Sequence, residues 1–387
     1  MSRVPPRMPR LSLTVFCLIS SMTLAYGSIW ESPDWALTSN LAASVGYDSD
    51  LTLSNNGPAD SFVQASPSLT LQRKNSSSNI EFMGDVTETD FLDDKEPRHT
   101  DYKFVASYDY PKADNVVPIF DASAQWTQVT EANEWLGLYV EHDRGSASVD
   151  GFLPVTGRLG IRATADYTLD NYILSRLNDY RNGRLFVGLA FQKDSGTEVS
   201  LNVGGALGSS TPNDEALFGG PVHSKEESVT TRIQGAITPK VSGSAYVGFS
   251  HVSYSGAYSD RENLPIGGAD LTWGVTTRTT IVLAAYSGAD FSPDGQSVRT
   301  THSFLSFTHV IVDQWQITVR GGPMYSVFSR TVQLNTDTLW DFSAGLSYQP
   351  STRFHVDLGF AYNHQNSDAL NNQFQREAVT LGVSYSL

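Results

Sequence analysis

Leu37, Leu41, Ala43, Val45 and Tyr47 alternate with Thr38, Asn40, Ser44 and Asp48, and the same two-residue period returns in segment after segment along the chain. A period of two puts one set of side chains on an apolar side of a strand and the other set on a polar side. Further strands are predicted around 63–72, 80–87, 102–110, 120–126, 159–168, 185–191, 199–203, 229–237 and 245–251. The pattern continues at 271–275, 281–285, 305–307, 317–327, 340–348 and 354–362. It closes with Val379, Leu381, Val383, Tyr385 and Leu387 set against Thr380, Gly382, Ser384 and Ser386. Pro67 has no N–H to donate, so the boundaries around it are soft.

Residues 129–153 carry two conflicting phases. Leu136, Leu138 and Val140 share one parity and Ala147, Val149, Gly151 and Leu153 the other, so a bulge or break is expected near 142–145. Counting this region as one strand gives 18; fusing it with its neighbours, or discounting the weak strand at 267–275, gives 16 as the alternative. An even number of strands returns the chain to the side on which it began, as a bacterial single-chain barrel requires. Short connections (KNSSSN, PVTGR, KDSG, TPKVSG, TTRT, QPSTR) take turns with long polar ones. The expected fold is all-β: one transmembrane antiparallel barrel, apolar toward lipid and polar toward the lumen, with the short turns in the periplasm. The long loops, above all 209–226 and 254–265, are expected to face outward. Two soluble sandwich domains are the competing architecture. The barrel makes Leu358 lipid-facing and Gly359 lumen-facing, and likewise Val187 and Gly188. The five apolar residues of the last segment, Val379, Leu381, Val383, Tyr385 and Leu387, are expected to close the barrel and to serve its assembly.

The N-terminus agrees with that destination. Arg3, Arg7 and Arg10 precede an apolar run over 11–25 that is short for a membrane helix, and Ala25 and Gly27 are small residues suited to cleavage. Residues 1–27 are read as a signal peptide and 28–387 as a single barrel domain of the bacterial outer membrane. Cys17 is the only cysteine and falls in the leader, which removes disulfide, thiol and cysteine-metal chemistry from the mature chain.

The chain has 26 Lys and Arg against 41 Asp and Glu, a net charge of −15, or −18 without the three leader arginines. Phosphate recognition calls for the opposite sign, so nucleic acid is excluded as a partner. Beyond the leader no apolar run is long enough for a helical span. There is no GxSxG, no phosphate loop, no HExxH and no recognisable set of metal ligands among the scattered histidines; the chain is read as a non-enzyme without cofactor or metal. The acidic stretches at 48–60 and 88–94 suit a solvated surface beside lipopolysaccharide better than a calcium site.

Polar side chains in phase with the inward face are the candidates for function. They are Glu81, Asp85, Lys103, Asp109, Asp121, Arg162, Asp166, Arg184, Glu198, Arg232, Asp270, Arg320, Asp341, Arg353 and Asp357, together with Asp48. Charges there avoid lipid, pair across strands and set the field in a water-filled path. Tyr246, Tyr286 and Phe304 share that parity, and an aromatic ring in a wet lumen is either a space filler or a platform for a sugar.

The strand-turn-strand units SVDGFLPVTGRLGIRATADYT and FSAGLSYQPSTRFHVDLGFAYNHQ and the ending VTLGVSYSL resemble the β-barrel porin family associated with bacterial exopolysaccharide and capsule export. The resemblance covers most of the mature chain and brings no active-site motif with it. It implies an outer-membrane channel with polysaccharide as substrate and a periplasmic export partner, embedded in lipid and lipopolysaccharide by the barrel assembly machinery. A general or solute-selective diffusion porin, and a structural barrel docking an envelope complex, remain the alternatives.

Overall fold

The computed structural model describes residues 29–387 apart from 55–56, 75–77, 94, 111–118, 134–137, 175–176, 194–195, 214–219, 258, 292–296, 330–333 and 369–372. The leader expected over 1–27 lies outside the described residues. A two-residue strand, β1 (Trp30–Glu31), rests against Ala36 and Leu37 of β2 (Trp35–Asp48) and adds nothing to the wall. The wall continues through β3 (Asp60–Lys74), β4 (Asn79–Phe91), β5 (His99–Tyr110), β6 (Ile119–Asn133), β7 (Leu138–Pro154), β8 (Leu159–Tyr172) and β9 (Asn178–Gln192). Then come β10 (Thr197–Pro212), β11 (Val222–Thr238), β12 (Val241–Gly256), β13 (Asp260–Thr276) and β14 (Thr279–Phe291). The last are β15 (Ser297–Val312), β16 (Trp315–Ser329), β17 (Leu334–Ser351), β18 (Phe354–Ser367) and β19 (Phe374–Ser386). Each strand pairs antiparallel with the next, and β19 pairs with β2, so the strands β2 to β19 form a closed barrel of 18.

The seam is made by the terminal segment. Val379, Leu381, Val383 and Tyr385 stand opposite Tyr47, Val45, Ala43 and Leu41. Leu387 donates to the Ser39 carbonyl at 2.8 Å and accepts from the Ser39 N–H at 3.3 Å. Closure leaves no unpaired edge, the condition for a sheet to lie in hydrocarbon.

Large apolar side chains lie on the outside, where a water-soluble fold would bury them: Phe249, Val247 and Leu207 are 76%, 69% and 68% exposed. Aromatics flank this belt. Trp315 stacks on Tyr348 at 4.4 Å near the short-turn end, where Trp273 also lies on β13, while Tyr47, Tyr167, Tyr325 and Trp340 lie toward the other end. Belt and closure together identify a transmembrane barrel of the bacterial outer membrane.

Turn chemistry fixes the hairpins. The hydroxyl of Thr156 accepts from the Leu159 N–H (3.0 Å), that of Thr238 from Val241 (3.0 Å), that of Thr276 from Arg278 (3.1 Å) and that of Ser351 from Phe354 (3.2 Å). Bulges just before the β11–β12, β13–β14, β15–β16 and β17–β18 turns let two-residue connections close the strands.

Two sequence expectations change. The bulge expected near 142–145 is not there: β7 pairs with β6 and β8 in unbroken register. The two phases are real, because Val140 is a buried inward residue beyond the apolar belt whereas Val149 and Leu153 belong to the belt. The long loops are also shorter than the pattern implied. Residues 209–212, 222–226, 254–256 and 260–265 are strand, as is most of the polar stretch 169–182. The wall strands run from 12 to 18 residues, against roughly 9 to 11 needed to cross hydrocarbon. Past the belt, the outward face becomes polar, as at Lys225, Glu227 and His251, so the alternation fades while the hydrogen-bond ladder continues. Pro67 sits inside a wall strand: its β2 partner is Leu41, but the β3–β4 register omits positions 66 and 67.

Most of the buried apolar residues gather inside the loop end of the barrel, although Phe152 and Ala190 lie beside the short turns. Val222, Val252, Tyr254 and Leu264 form one cluster at the loop end.

Candidate functional site: the lumen wall

Inward side chains meet across strands in a way only the concave face allows. Arg162 on β8 reaches past β9 to Glu198 on β10, with Nη1 at 2.9 and 3.1 Å from the two carboxylate oxygens, and its Nη2 donates to Asp150 on β7. With its amide oxygen turned inward, Gln234 on β11 accepts from the same guanidinium at 3.0 Å. Beyond this group stand Asp166, Arg184, Arg232 and Tyr246, lining with Phe186, Glu226 and Tyr286 a recess of about 190 Å³ in the wall. Arg162 is therefore engaged by carboxylates at both Nη atoms, while its Nε is buried without a hydrogen-bond partner among the described residues. Arg232 is not so engaged; its hydrogen bond goes to the Ser244 hydroxyl at 3.4 Å, and its Nε is buried without a partner among the described residues.

From Arg232 an aromatic track runs around the wall. Arg232 pairs across strands with Tyr246, Tyr246 with Gly268, and Gly268 with Tyr286. The Tyr246 ring lies flat over Gly268, where an added Cβ would come within 2.5 Å of Cε1, and the Tyr286 hydroxyl lies over Gly288. Tyr286 contacts His302 at 5.4 Å between ring centroids, His302 contacts Phe304 at 5.5 Å, and the Arg320 guanidinium caps Phe304 at 4.5 Å. Five strand spacings separate β11 from β16, about 24 Å of wall at ~4.8 Å each. Glycine under each tyrosine is what lets the rings lie along the wall and turn a face to the lumen.

The other half of the wall, from β17 through the seam to β6, carries carboxylates held by neutral groups. Asn363 donates to Asp341 at 2.9 Å, Ser347 to Asp357, Gln72 to Glu81 at 3.3 Å, Thr87 to Asp85 at 3.1 Å and Asn79 to Asp109 at 3.3 Å. Lys103 stands across from Asp85 and Asp121 across from Asp109. Asp270 takes its place on β13, facing Ser244 and Ala284. Of the residues expected in the lumen, Arg353 alone falls on a turn, between β17 and β18, at the short-turn rim.

At the loop end the connection between β2 and β3 turns inward. Asp50, Leu51 and Thr52 are buried, Leu51 to 2% exposure, and Leu51 donates to the Pro58 carbonyl at 2.9 Å. Leu51 and Leu53 face inward residues of other strands, including Phe62, Phe91, Asp101, Glu131 and Arg376, around a cavity of about 300 Å³. Acidic residues at this end of the strands act as staples. Asp48 accepts from Arg376 at 2.6 and 2.8 Å, Asp60 from the Asp93 and Lys95 N–H groups, and Asp101 from the Thr130 N–H at 2.8 Å. Among the described residues no cluster of three or more His, Cys, Asp or Glu is placed to hold a metal ion.

His142 is the most enclosed ionisable group of this rim, 1% exposed. Its Nε2 lies 3.1 Å from Glu131 and its Nδ1 3.3 Å from Asp170, while Tyr172 stacks on the ring at 4.8 Å and Arg144 bridges the same two carboxylates. Burial opposes the charged imidazole, but Asp170 and Glu131 outweigh it and raise its pKa above the ordinary histidine value. The Glu131 carboxyl is lowered, first by its hydrogen bond with His142. Burial pushes the Tyr172 phenol up to about 12.

Sequence reading missed Glu131, His142, Arg144 and Asp150 because the conflicting phases of 129–153 hid which side chains point inward, and Asp170 because the polar stretch 169–182 read as a loop. His302 and Arg376 were legible by parity, since they fall in phase with Phe304 and Thr380.

The family model described as "Putative beta-barrel porin 2" matches residues 230–387, the part of the chain from β11 to the seam. No curated protein matches the sequence. Among solved structures, the chain is similar to the copper transporter OprC, with 11% identity and a TM-score of 0.45 over 87% of this chain and 62% of that one. It is also similar to Pseudomonas aeruginosa OpdQ (9% identity, TM-score 0.44, 91% and 97% covered). A third is a bacterial polysaccharide outer membrane secretin (8%, 0.37, 90% and 98%). The chain thus spans less than two thirds of the transporter, and at these scores the likenesses carry no argument about cargo. What closure, belt and lumen establish is an 18-stranded outer-membrane barrel of channel-like build, in contact with the lipid and lipopolysaccharide around it.

Proposed function

We propose that the barrel is a passive outer-membrane channel for a carbohydrate polymer leaving the cell, with no chemical step of its own. The observation that carries this reading is the aromatic track from Tyr246 to Phe304. Flat rings backed by glycine offer a sugar ring an apolar face, and the polar groups beside them can exchange hydrogen bonds with hydroxyls as the chain slides. Resemblance to barrels of exopolysaccharide and capsule export supports an exopolysaccharide as the cargo. The same reading includes a periplasmic export partner and delivery by a signal peptide over 1–27 to the barrel assembly machinery. Deletion of the barrel, with periplasmic and surface-bound polymer measured separately, tests the reading. Periplasmic accumulation with loss of surface polymer is expected; unchanged polymer output with lost small-solute conductance refutes it.

The inward β2–β3 connection favours a second reading, a solute-selective diffusion porin, because a loop folded into the mouth narrows a pore. Trimming residues 51–58 discriminates. It raises small-solute conductance in a porin and leaves polymer export unchanged.

A further inference from the structure

We propose that this channel selects cations over anions, and that the carboxylates on the half-wall from β17 through the seam to β6 set the preference. The inference rests on the carbohydrate reading only for the cargo: a neutral or positively charged polymer passes and a polyanionic one is held back.

The argument is one of compensation. Asp341, Asp357, Glu81, Asp85 and Asp109 each take their hydrogen bond from an amide or hydroxyl, and none has a Lys or Arg within 4.0 Å among the described residues. Lys103 stands across from Asp85, but one cation against five carboxylates leaves most of their charge to be balanced by ions from the water of the lumen. The inward cations are arranged differently: Arg162 is held by Asp150 and Glu198, Arg144 by Glu131 and Asp170, Arg376 by Asp48. Among the described residues Arg232 and Arg320 have no carboxylate within 4.0 Å; Arg232 stands on β11 in the recess it shares with Asp166, and Arg320 on β16 at the border of the acidic half, across from Ser343 of β17. Strands lie ~4.8 Å apart and the screening length is about 8 Å at physiological salt. A permeating ion near the acidic half therefore feels several carboxylates at once, and a low-dielectric wall focuses their field into the pore.

The test uses the full chain refolded into a planar bilayer of neutral phosphatidylcholine under a KCl gradient. The reversal potential is expected to show K⁺ permeating several-fold better than Cl⁻, with the preference shrinking at high salt. The triple variant Asp109→Asn, Asp341→Asn, Asp357→Asn should move the potential most of the way to zero. Preference for Cl⁻, no preference, or no current overturns the proposal on the unmodified chain alone, so a variant that fails to fold does not shield it. Current block by hexamers separates the proposal from the reading beneath it. Protonated glucosamine hexamer should block best, maltohexaose next and hexagalacturonate least. Cation preference without block by any hexamer leaves the charge inference standing and removes the carbohydrate cargo. Strongest block by hexagalacturonate, relieved by Arg232→Gln with Arg320→Gln, keeps the carbohydrate cargo and overturns the inference.

Discussion

Replacing Leu358 by Arg tests the barrel where its geometry is plainest. On β18 the outward residues are Phe354, Val356, Leu358, Phe360 and Tyr362, a nine-residue stretch with an aromatic at each end and Leu358 at its centre. Leu358 stands between Leu346 of β17 and Leu381 of β19 and is 47% exposed, all of it toward lipid. An Arg at the hydrocarbon midplane of a barrel costs roughly 2 to 4 kcal/mol, falling to about 0 to 1 near the interfaces. Its centred position argues for the upper range, and about 3 kcal/mol corresponds to a loss of roughly two orders of magnitude in the folding equilibrium. The control is Gly359→Ser. A Cβ there meets only the Thr380 hydroxyl, at 2.7 Å, and a rotamer change of that side chain relieves the contact, for about 1 kcal/mol or less. Reversible urea unfolding from phosphatidylcholine vesicles, followed by tryptophan fluorescence, gives both values. Equal costs at 358 and 359 would show that the lipid and lumen faces of β18 have been exchanged. The parallel pair at Val187 and Gly188 lacks such a control. A Cβ on Gly188 would lie within 2.9 Å of the Asn202 backbone, so any side chain there is destabilising for a local reason.

Removing Tyr385 to Leu387 takes away the pairs Tyr385–Leu41 and Ser386–Asn40 and both Leu387–Ser39 bonds, and should prevent the heat-modifiable folded band on cold gels. Arg162→Gln leaves Asp150 and Glu198 facing each other without their cation; a loss of about 3 to 5 kcal/mol is expected in the same urea assay, with Glu198→Gln added to Arg162→Gln restoring part of it. Gly268→Ala should lift the Tyr246 ring from the wall and weaken block by maltohexaose while leaving the urea midpoint nearly unchanged. The His142 imidazole has a folded pKa above its unfolded one, so its contribution is complete below about 6.5, the unperturbed value, and is lost as pH rises through the folded pKa. The melting-temperature gap between the native chain and His142→Asn should therefore be wide at pH 6 and narrow toward alkaline pH. A gap that widens with pH would refute the ion-pair assignment to Glu131 and Asp170.

The two-residue period determined a great deal. It is a local property of each strand, and burial of one face in lipid forbids a slip by one residue, so Leu358 and Gly359, or Val383 and Ser384, could be assigned to their sides from order alone. The closing role of the last segment followed in the same way, because an open edge has no place in hydrocarbon. What only the tertiary structure decided lies where hydropathy stops reporting. Beyond the belt both faces of a strand meet water, so 260–265 and 209–212 looked like loop although the ladder continues through them. The union of Glu131, His142, Arg144 and Asp170 needs three strands in register past that belt. The track from Arg232 to Arg320 needs five neighbouring strand spacings and glycines under its tyrosines, and the inward course of Leu51 depends on partners up to 325 residues away, such as Arg376. Parity tells a side chain which way to face; only the closed wall decides what it meets there.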